Sequence, residues 1–172
     1  MLLVAVLAAI MTSSCAHVIS ADNVRASVKG VGLSQLAKDP VPYTNDIFIF
    51  GGTIAGLTDT KEGSEIEIVQ NPVDRYGFIT DRDISEGRFI VIAPTHLDPL
   101  IYQVRRLITV AGKLTGVREK KSGATLLVYP VFEAKELYLW KEERLYPPYP
   151  FPYGPYYDRF YFNDYYMFRP YW

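Results

Sequence analysis

The chain has 172 residues, enough for one domain with accessory segments, and 49% of them are hydrophobic. Its charges nearly balance, with 18 Lys and Arg against 19 Asp and Glu, for a net charge of −1. This balance argues against a nucleic-acid-binding protein, which typically carries a basic face and a high pI, and against a polybasic protein of membrane surfaces. The single cysteine excludes an internal disulfide, so its role must follow from its position.

An apolar run opens the sequence and ends shortly before the cysteine. It extends from Leu2 to Met11 and is followed by Thr12-Ser13-Ser14. A membrane-spanning helix needs about 20 apolar residues, whereas a secretory signal peptide has about 7–15, followed by small residues. Residues 1–14 are therefore predicted to be a signal peptide. Signal peptides normally begin with a basic residue and none precedes Leu2, so we expect the start codon to lie upstream of Met1.

The segment Thr12-Ser13-Ser14-Cys15 resembles the lipobox of bacterial lipoproteins, although Thr12 stands where a lipobox usually carries Leu. The resemblance implies that Cys15 receives a covalent diacylglycerol, that the chain is cleaved before it, and that the new amine gains an N-acyl chain. Two acyl chains already anchor a protein stably, so three would hold this one permanently. Ala16 follows the cysteine, and in enterobacterial lipoproteins Asp there, but not Ala, favours retention in the inner membrane.

Two alternatives compete with lipid attachment. The apolar run could be a buried helix with an incidental Cys15, or a signal peptide without lipid. Residues 15–30 are mixed and polar with no clear period, which predicts a lipidated tether with an exposed His17. No other cofactor is expected.

Residues 31–145 are predicted to form the folded domain. One or two helical turns are expected between Val31 and Ala37. Alternation or apolar runs then predict strands, which are Ile47 to Ala55 with a bulge at Gly51-Gly52, Glu65 to Ile68, Arg88 to Ala93, Leu107 to Leu114, and Leu126 to Trp140.

The connections complete this prediction. Asp98-Pro99 is expected to open a helical turn between the third and fourth strands, and Gly116 to Gly123 a charged hairpin loop. Pro130 suggests a strand edge or a bulge, and a change of parity predicts a slip near Lys135-Glu136. The order matches a mainly β fold, a small five-stranded, OB-like, partly open β-barrel with a short helix. A generic small barrel or meander is the alternative.

A series of short motifs between about Leu33 and Trp140 is similar to the Slp family of outer-membrane lipoproteins, named for starvation-inducible relatives. The resemblance implies an outer-membrane location, and it carries over no catalytic residues because the family's molecular function is poorly defined. The motifs are Gly51-Gly52-Thr53-Ile54, Glu67-Ile68-Val69-Gln70-Asn71-Pro72-Val73-Asp74, Ser85-Glu86-Gly87-Arg88-Phe89, Leu97-Asp98-Pro99 with Tyr102, Leu107-Ile108-Thr109-Val110-Ala111-Gly112, and Tyr129-Pro130-Val131 leading to Leu139-Trp140.

Residues suited to catalysis are sparse. A Ser-His-Asp triad would have to use His96, near Asp98, but a turn capped by Asp98 is the preferred interpretation. The acidic residues Asp81, Asp83 and Glu86 lack the spacing of a calcium loop. No catalytic residue and no metal site are predicted.

Three residues are predicted to be structural or ligand-facing: Arg88, Asp98 and Trp140. If Arg88 points into the barrel, it needs a carboxylate partner such as Asp74 or Asp98. The alternative is that Arg88 faces a ligand.

The C-terminal segment Tyr146–Trp172 is rich in Pro, Tyr and Phe, and its prolines forbid a regular helix. Three interpretations stay open. The segment has no fixed partner, it lies at the membrane surface, where Tyr and Trp are favoured, or it docks on another envelope protein or a glycan.

The sequence thus predicts a non-enzymatic lipoprotein of the bacterial outer membrane. Its partners would be the membrane and an envelope component, not nucleic acid, and its domain would face the periplasm in a structural or interaction role. The alternatives are a module that binds a glycan or lipid, and an envelope hydrolase that uses His96.

Overall fold

The structure is a computed structural model and describes residues 17–122 and 125–141. The signal peptide, Cys15 and the segment Tyr146–Trp172 lie outside the described residues. Two short helices come first, α1 (Ala21–Ala26) and α2 (Leu33–Lys38), followed by a 3-10 turn (Val41–Tyr43). The strands are β1 (Ile47–Thr60), β2 (Gly63–Asn71), β3 (Arg88–Ala93), β4 (Leu107–Ser122) and β5 (Thr125–Leu139). No helix within 17–122 or 125–141 is long and apolar enough to cross a bilayer.

The strands form a closed barrel in the order β1-β2-β3-β5-β4. Neighbouring strands are antiparallel except β3 and β5, which pair in parallel through Ile90–Ile92 and Val131–Glu133. This order and the single parallel pair are those of an OB-type barrel. The predicted mainly β class and five-stranded OB-like barrel are therefore confirmed, and pairing of β4 with β1 closes the barrel fully.

The barrel interior is apolar because alternate residues of each strand face inwards. In β2, Ile66 and Ile68 are fully buried, whereas Glu65 and Glu67 lie outside, as their alternation predicts. Aromatic rings from different strands meet at the centre of the core, and α2 adds Leu33 and Leu36 to it. The central rings are those of Phe48, Phe50, Phe89 and Phe132.

Two features of β5 were predictable from the sequence. Ala111 pairs with Glu136 and Gly112 with Ala134, so Lys135 is bulged and the predicted slip is confirmed. Pro130 pairs with β4 one residue before β5 begins to pair with β3 at Val131. Pro130 therefore lies where β5 has a neighbour on one side only, the edge position in which proline is tolerated.

Other local predictions are wrong. The bulge in β1 lies at Ala55, between the pairs Ile54 with Ile68 and Gly56 with Glu67, and not at Gly51-Gly52. The segment Gly116 to Ser122 continues β4 instead of forming a hairpin loop. It pairs with β5, and we call this two-stranded continuation of β4 and β5 the arm.

The connection between β3 and β4 consists of turns. The amides of Ile101 and Tyr102 both donate to the carbonyl of Asp98, which makes one helical turn at the predicted place but no helix. The turns predicted at Val31 to Ala37 are present as α2.

Candidate functional site

The segment that follows Cys15, predicted to be a tether over residues 15–30, is packed on the barrel from His17 onwards. The amide of Val18 donates to the carbonyl of Tyr76 over 3.0 Å, and that of Val28 donates to the carbonyl of Ile47 over 2.8 Å. Ile19 is only 1% exposed. His17, predicted to be exposed, is half-buried, and its Nδ1 accepts from the amide of Ile19 over 2.9 Å. Docking on the barrel therefore begins two residues after Cys15.

The loop that receives this segment is shaped by Gly77. Its φ of +84° is disfavoured for other residues. A Cβ atom at Gly77 would lie 2.7 Å from Cγ2 of Val18 and 2.9 Å from Cε1 of His17. A side chain at this position would therefore push the N-terminal segment away from the barrel.

A carboxylate on β5 holds the start of α1. Glu136 accepts from the amide of Ser20 over 3.0 Å, from the hydroxyl of Ser20 over 2.7 Å and from Nδ2 of Asn23 over 2.8 Å. Partial burial favours a higher pKa for Glu136, but the hydrogen bonds from Ser20 and Asn23 outweigh it, so the pKa lies below its ordinary value. The contact therefore stabilises the fold when Glu136 is ionised.

We expect Glu136→Gln to lower the free energy of unfolding by about 1 kcal/mol at pH 7, because a hydrogen-bonded carboxylate is replaced by a neutral amide. The folded pKa is depressed, so the carboxylate contributes above the unfolded value of about 4.3 and its contribution is lost as the pH falls through the folded pKa. Denaturation at pH 7 and pH 3 should show the difference between variant and wild type shrinking on acidification.

Glu133→Gln is the matched control. Glu133 lies on the same strand, and its side chain pairs with Lys135 over 2.8 Å at the surface. Protection of the Val18 and Val28 amides against hydrogen exchange should fall in Glu136→Gln only. Equal protection in both variants would contradict the assigned role of Glu136.

Three partly exposed aromatic rings lie together outside the barrel, and we call Phe78, Tyr138 and Trp140 the aromatic face. The Trp140 ring centroid lies 4.9 Å from that of Phe78 and 4.8 Å from that of Tyr138. Phe78 is 46% exposed and Tyr138 38%. Nε1 of Trp140 donates to Oγ1 of Thr109 over 3.1 Å, and this hydroxyl donates to the carbonyl of Gly77 over 2.9 Å. The aromatic face therefore adjoins the loop on which His17 and Val18 dock.

Arg106 joins this face to the loop between β3 and β4. Its Nη2 donates to the carbonyl of Trp140 over 2.5 Å, and its Nη1 donates to the carbonyl of Ile101 over 2.8 Å. The same loop carries exposed apolar side chains at Leu100 (77%), Ile101 (49%) and Val104 (57%).

A ladder of charges covers the outer side of β2. Glu67 accepts from Arg88 over 2.7 Å and from Lys120 over 2.9 Å, and Glu65 accepts from Arg118 over 2.6 Å. Partial burial of Glu67 opposes ionisation, but Arg88 and Lys120 outweigh it and hold its pKa below the ordinary value. Arg118 and Lys120 belong to the extended part of β4, so these pairs help to hold the arm against β2.

Arg88 lies on the outside of the barrel, and its partner is Glu67. The predicted partners Asp74 and Asp98 are therefore wrong. Asp98 accepts from the amide of Leu100 over 2.8 Å within its own turn, which is the capping geometry considered for it.

The residues considered for catalysis or metal binding lie in exposed turns. Nδ1 of His96 lies 3.7 Å from Oδ1 of Asp59, with both side chains more than 60% exposed. In the acidic cluster, Asp81 accepts from the amide of Asp83 and Glu86 from that of Ser34. The described residues hold no group of three or more His, Cys, Asp or Glu arranged around a metal position.

An open depression of about 570 Å³ lies beside the charged ladder. Its described lining residues are Thr53, Val69, Arg82 and Asp83, and none of these is aromatic. An aromatic-lined pocket would have favoured a glycan-binding module, and this depression does not supply one.

Residues 12–172 match the sequence model of the family described as Outer membrane lipoprotein Slp family. The chain belongs to this family. It is therefore an outer-membrane lipoprotein, and its predicted resemblance to the Slp family is confirmed. A curated relative, the uncharacterized lipoprotein YeaY of Escherichia coli (strain K12), is 26% identical over 144 residues, which are 83% of this chain and 74% of the relative.

Among solved structures, a small single-stranded DNA-binding protein from Streptomyces coelicolor is similar, with a TM-score of 0.35 and 18% identity. The similarity covers 55% of this chain and 94% of the other.

Sequence reasoning singled out Trp140 but missed its neighbours. Tyr138 and Trp140 are two residues apart on one strand and thus share a face, a signal that was available. Phe78 comes from a loop distant in sequence, and no local pattern places it there. The role of Glu136 could not be predicted from the sequence either, because its partners in the N-terminal segment lie more than 100 residues away.

Proposed function

We propose that Cys15 carries the lipid anchor of this outer-membrane lipoprotein, and that its barrel has a non-enzymatic structural or interaction role on the periplasmic side. The observation that carries the proposal is the position of the chain's single cysteine. It lies inside the family match, which starts at Thr12, and directly before the segment that docks on the barrel from His17 onwards. A lipid there would hold the folded domain through a two-residue connection.

The role without catalysis is supported by the way the barrel uses its polar groups. Glu67 and Glu136 are occupied by contacts that hold the arm and the N-terminal segment, and Asp98 is occupied in its own turn. We expect no cofactor besides the covalent diacylglycerol and N-acyl chain on Cys15. Export by a signal peptide, followed by lipid attachment, would leave the barrel in the periplasm.

The expected partners are the membrane, through the lipid, and another envelope protein or a glycan, through Tyr146–Trp172. This C-terminal segment lies outside the described residues, so its partner stays a prediction.

Cys15→Ala tests the anchor. We expect the variant to leave the outer-membrane fraction, because it lacks the sulfur that receives the diacylglycerol. Fractionation of cells should show this loss, and mass spectrometry of the mature wild-type N-terminus should show acyl chains on Cys15. Since two lipid chains already anchor a protein stably, the diacylglycerol alone should keep the wild type in the outer membrane.

Ser14→Ala is the matched control, because it changes the neighbouring residue but keeps it small, as the cleavage site requires. It should stay in the outer membrane and carry the same acyl mass. A wild-type N-terminus without acyl mass, or a Cys15→Ala variant that still sediments with the outer membrane, would disprove lipid attachment at Cys15.

A further inference from the structure

We propose that the aromatic face of Phe78, Tyr138 and Trp140 lies against the lipid surface and fixes the orientation of the barrel on the membrane. This inference rests on the proposed lipid attachment at Cys15. The lipid would supply the affinity, and the aromatic face would select which side of the barrel meets the bilayer.

The connection between Cys15 and the barrel is short. Consecutive Cα atoms are 3.80 Å apart, so two peptide units span at most about 7–8 Å. His17 is fixed to the barrel by the contacts of Val18 and Ile19. A lipidated Cys15 would therefore keep the docking site of His17 within about one nanometre of the membrane surface, and the barrel would not be free to rotate on a long tether.

The aromatic face lies close to the N-terminal segment. His17 and Val18 lie against Gly77, the carbonyl of Gly77 accepts from Thr109, and Thr109 accepts from Nε1 of Trp140. Phe78 is the next residue after Gly77, and its ring packs on Trp140. The side chain of Thr109 thus links the aromatic face to the loop on which His17 and Val18 dock.

The side chains of the aromatic face suit a lipid surface. Trp and Tyr rings favour the region between lipid headgroups and hydrocarbon. The indole N–H of Trp140 is already bonded to Thr109, so its ring can leave water without losing a hydrogen-bond partner. Exposed apolar side chains grouped in this way mark surfaces that contact a membrane or a protein. Leu100, Ile101 and Val104, on the loop that Arg106 ties to Trp140, extend the apolar surface.

The test uses the full-length lipidated protein with Trp172→Phe, which leaves Trp140 as the single tryptophan. The protein is incorporated into vesicles of phosphatidylethanolamine and phosphatidylglycerol that carry bromine near the top of the acyl chains. Mass spectrometry of the same preparation establishes the acyl chains on Cys15. We expect the brominated lipid to quench Trp140 and to shift its emission to shorter wavelength.

The control reporter is Lys61→Trp in a protein that also carries Trp140→Phe and Trp172→Phe. Lys61 is exposed in the turn after β1, ten residues beyond Gly51, which pairs with Thr109. At about 3.3 Å per strand residue, this position lies up to about 30 Å along β1 from the aromatic face. Circular dichroism confirms that both reporters are folded.

We expect quenching of Trp140 to exceed that of the control reporter by about twofold or more, as for an interfacial ring compared with one in water. Equal quenching of both reporters, or no quenching of Trp140, in acylated protein overturns the assigned orientation and leaves the lipid anchor intact. Protein that carries no acyl chain overturns the anchor and this inference with it.

Discussion

Phe132→Ala is expected to lower the free energy of unfolding by about 3–5 kcal/mol, the cost of removing a large aromatic side chain from a core. Phe132 is 1% exposed, and its ring lies 5.7 Å from that of Phe50 and 5.7 Å from that of Phe89. It stands on β5 at the short parallel pairing with β3. The cavity would open beside the pairing of β3 with β5, the shortest in the barrel, where few hydrogen bonds join the strands.

Phe78→Ala is the matched control, with the same change of side chain at a position 46% exposed. Its ring contact with Trp140 makes some loss expected, about 1 kcal/mol, well below that of Phe132→Ala. Urea denaturation of both variants measures the difference, and an unchanged slope shows that the compactness of the unfolded state is the same. Similar losses for the two variants would contradict the central place of Phe132 in the core.

The strands were predictable because their signal is local. Strict alternation in Glu65 to Ile68 places two isoleucines inside and two glutamates outside, whatever the partner strand is. The third strand has the bounds that its apolar run indicates, Arg88 to Ala93. The parity change near Lys135 marks a bulge for the same reason, since a slip of one residue moves a side chain to the opposite face.

Contacts between segments that are distant in sequence could not be predicted from local patterns. The charges of Arg118 and Lys120 looked like those of a loop, because their partners Glu65 and Glu67 lie on a different strand. Residues 17–30 looked like a tether because they have no period. Their stability on the barrel comes from single contacts, such as that of Ser20 with Glu136, which are invisible in a local pattern.

In the candidate site, too, local features were predictable from the sequence and contacts between distant segments were not. Trp140 was accessible to sequence reasoning as an aromatic residue at the end of a strand, and its neighbour Tyr138 was accessible from the period of the strand. The connection of Trp140 to Gly77 through Thr109 depends on how a loop folds back over the sheet. The proposed contact of these rings with the membrane rests on their closeness to His17, which is a consequence of tertiary structure alone.

The glycines of β1 separate two roles that the sequence could not distinguish. A bulge was predicted at Gly51-Gly52, and Gly56 lies four residues beyond Gly52 on the same strand. A Cβ atom at Gly52 would collide with the backbone carbonyl of Val69 and with the side chain of Ile68 on β2, whereas one at Gly56 would have nothing within 4 Å. Gly52 is therefore required by the close approach of β2, and Gly56 is not required for space.

Gly52→Ala is accordingly expected to lower the free energy of unfolding by about 3 kcal/mol, since a methyl group forced against backbone moves the strand. Gly56→Ala should be neutral or stabilising by about 0.5 kcal/mol, because alanine restricts the unfolded chain at a position with an ordinary φ. Denaturation of the two variants compares one methyl group at two positions of one strand. Because Gly52 pairs with Gln70 of β2, a displacement of the two strands should also increase hydrogen exchange at amides of β2. If Gly56→Ala lowered the free energy of unfolding as much as Gly52→Ala, both glycines would serve the flexibility of β1. The close approach of β2 would then not be the reason for Gly52.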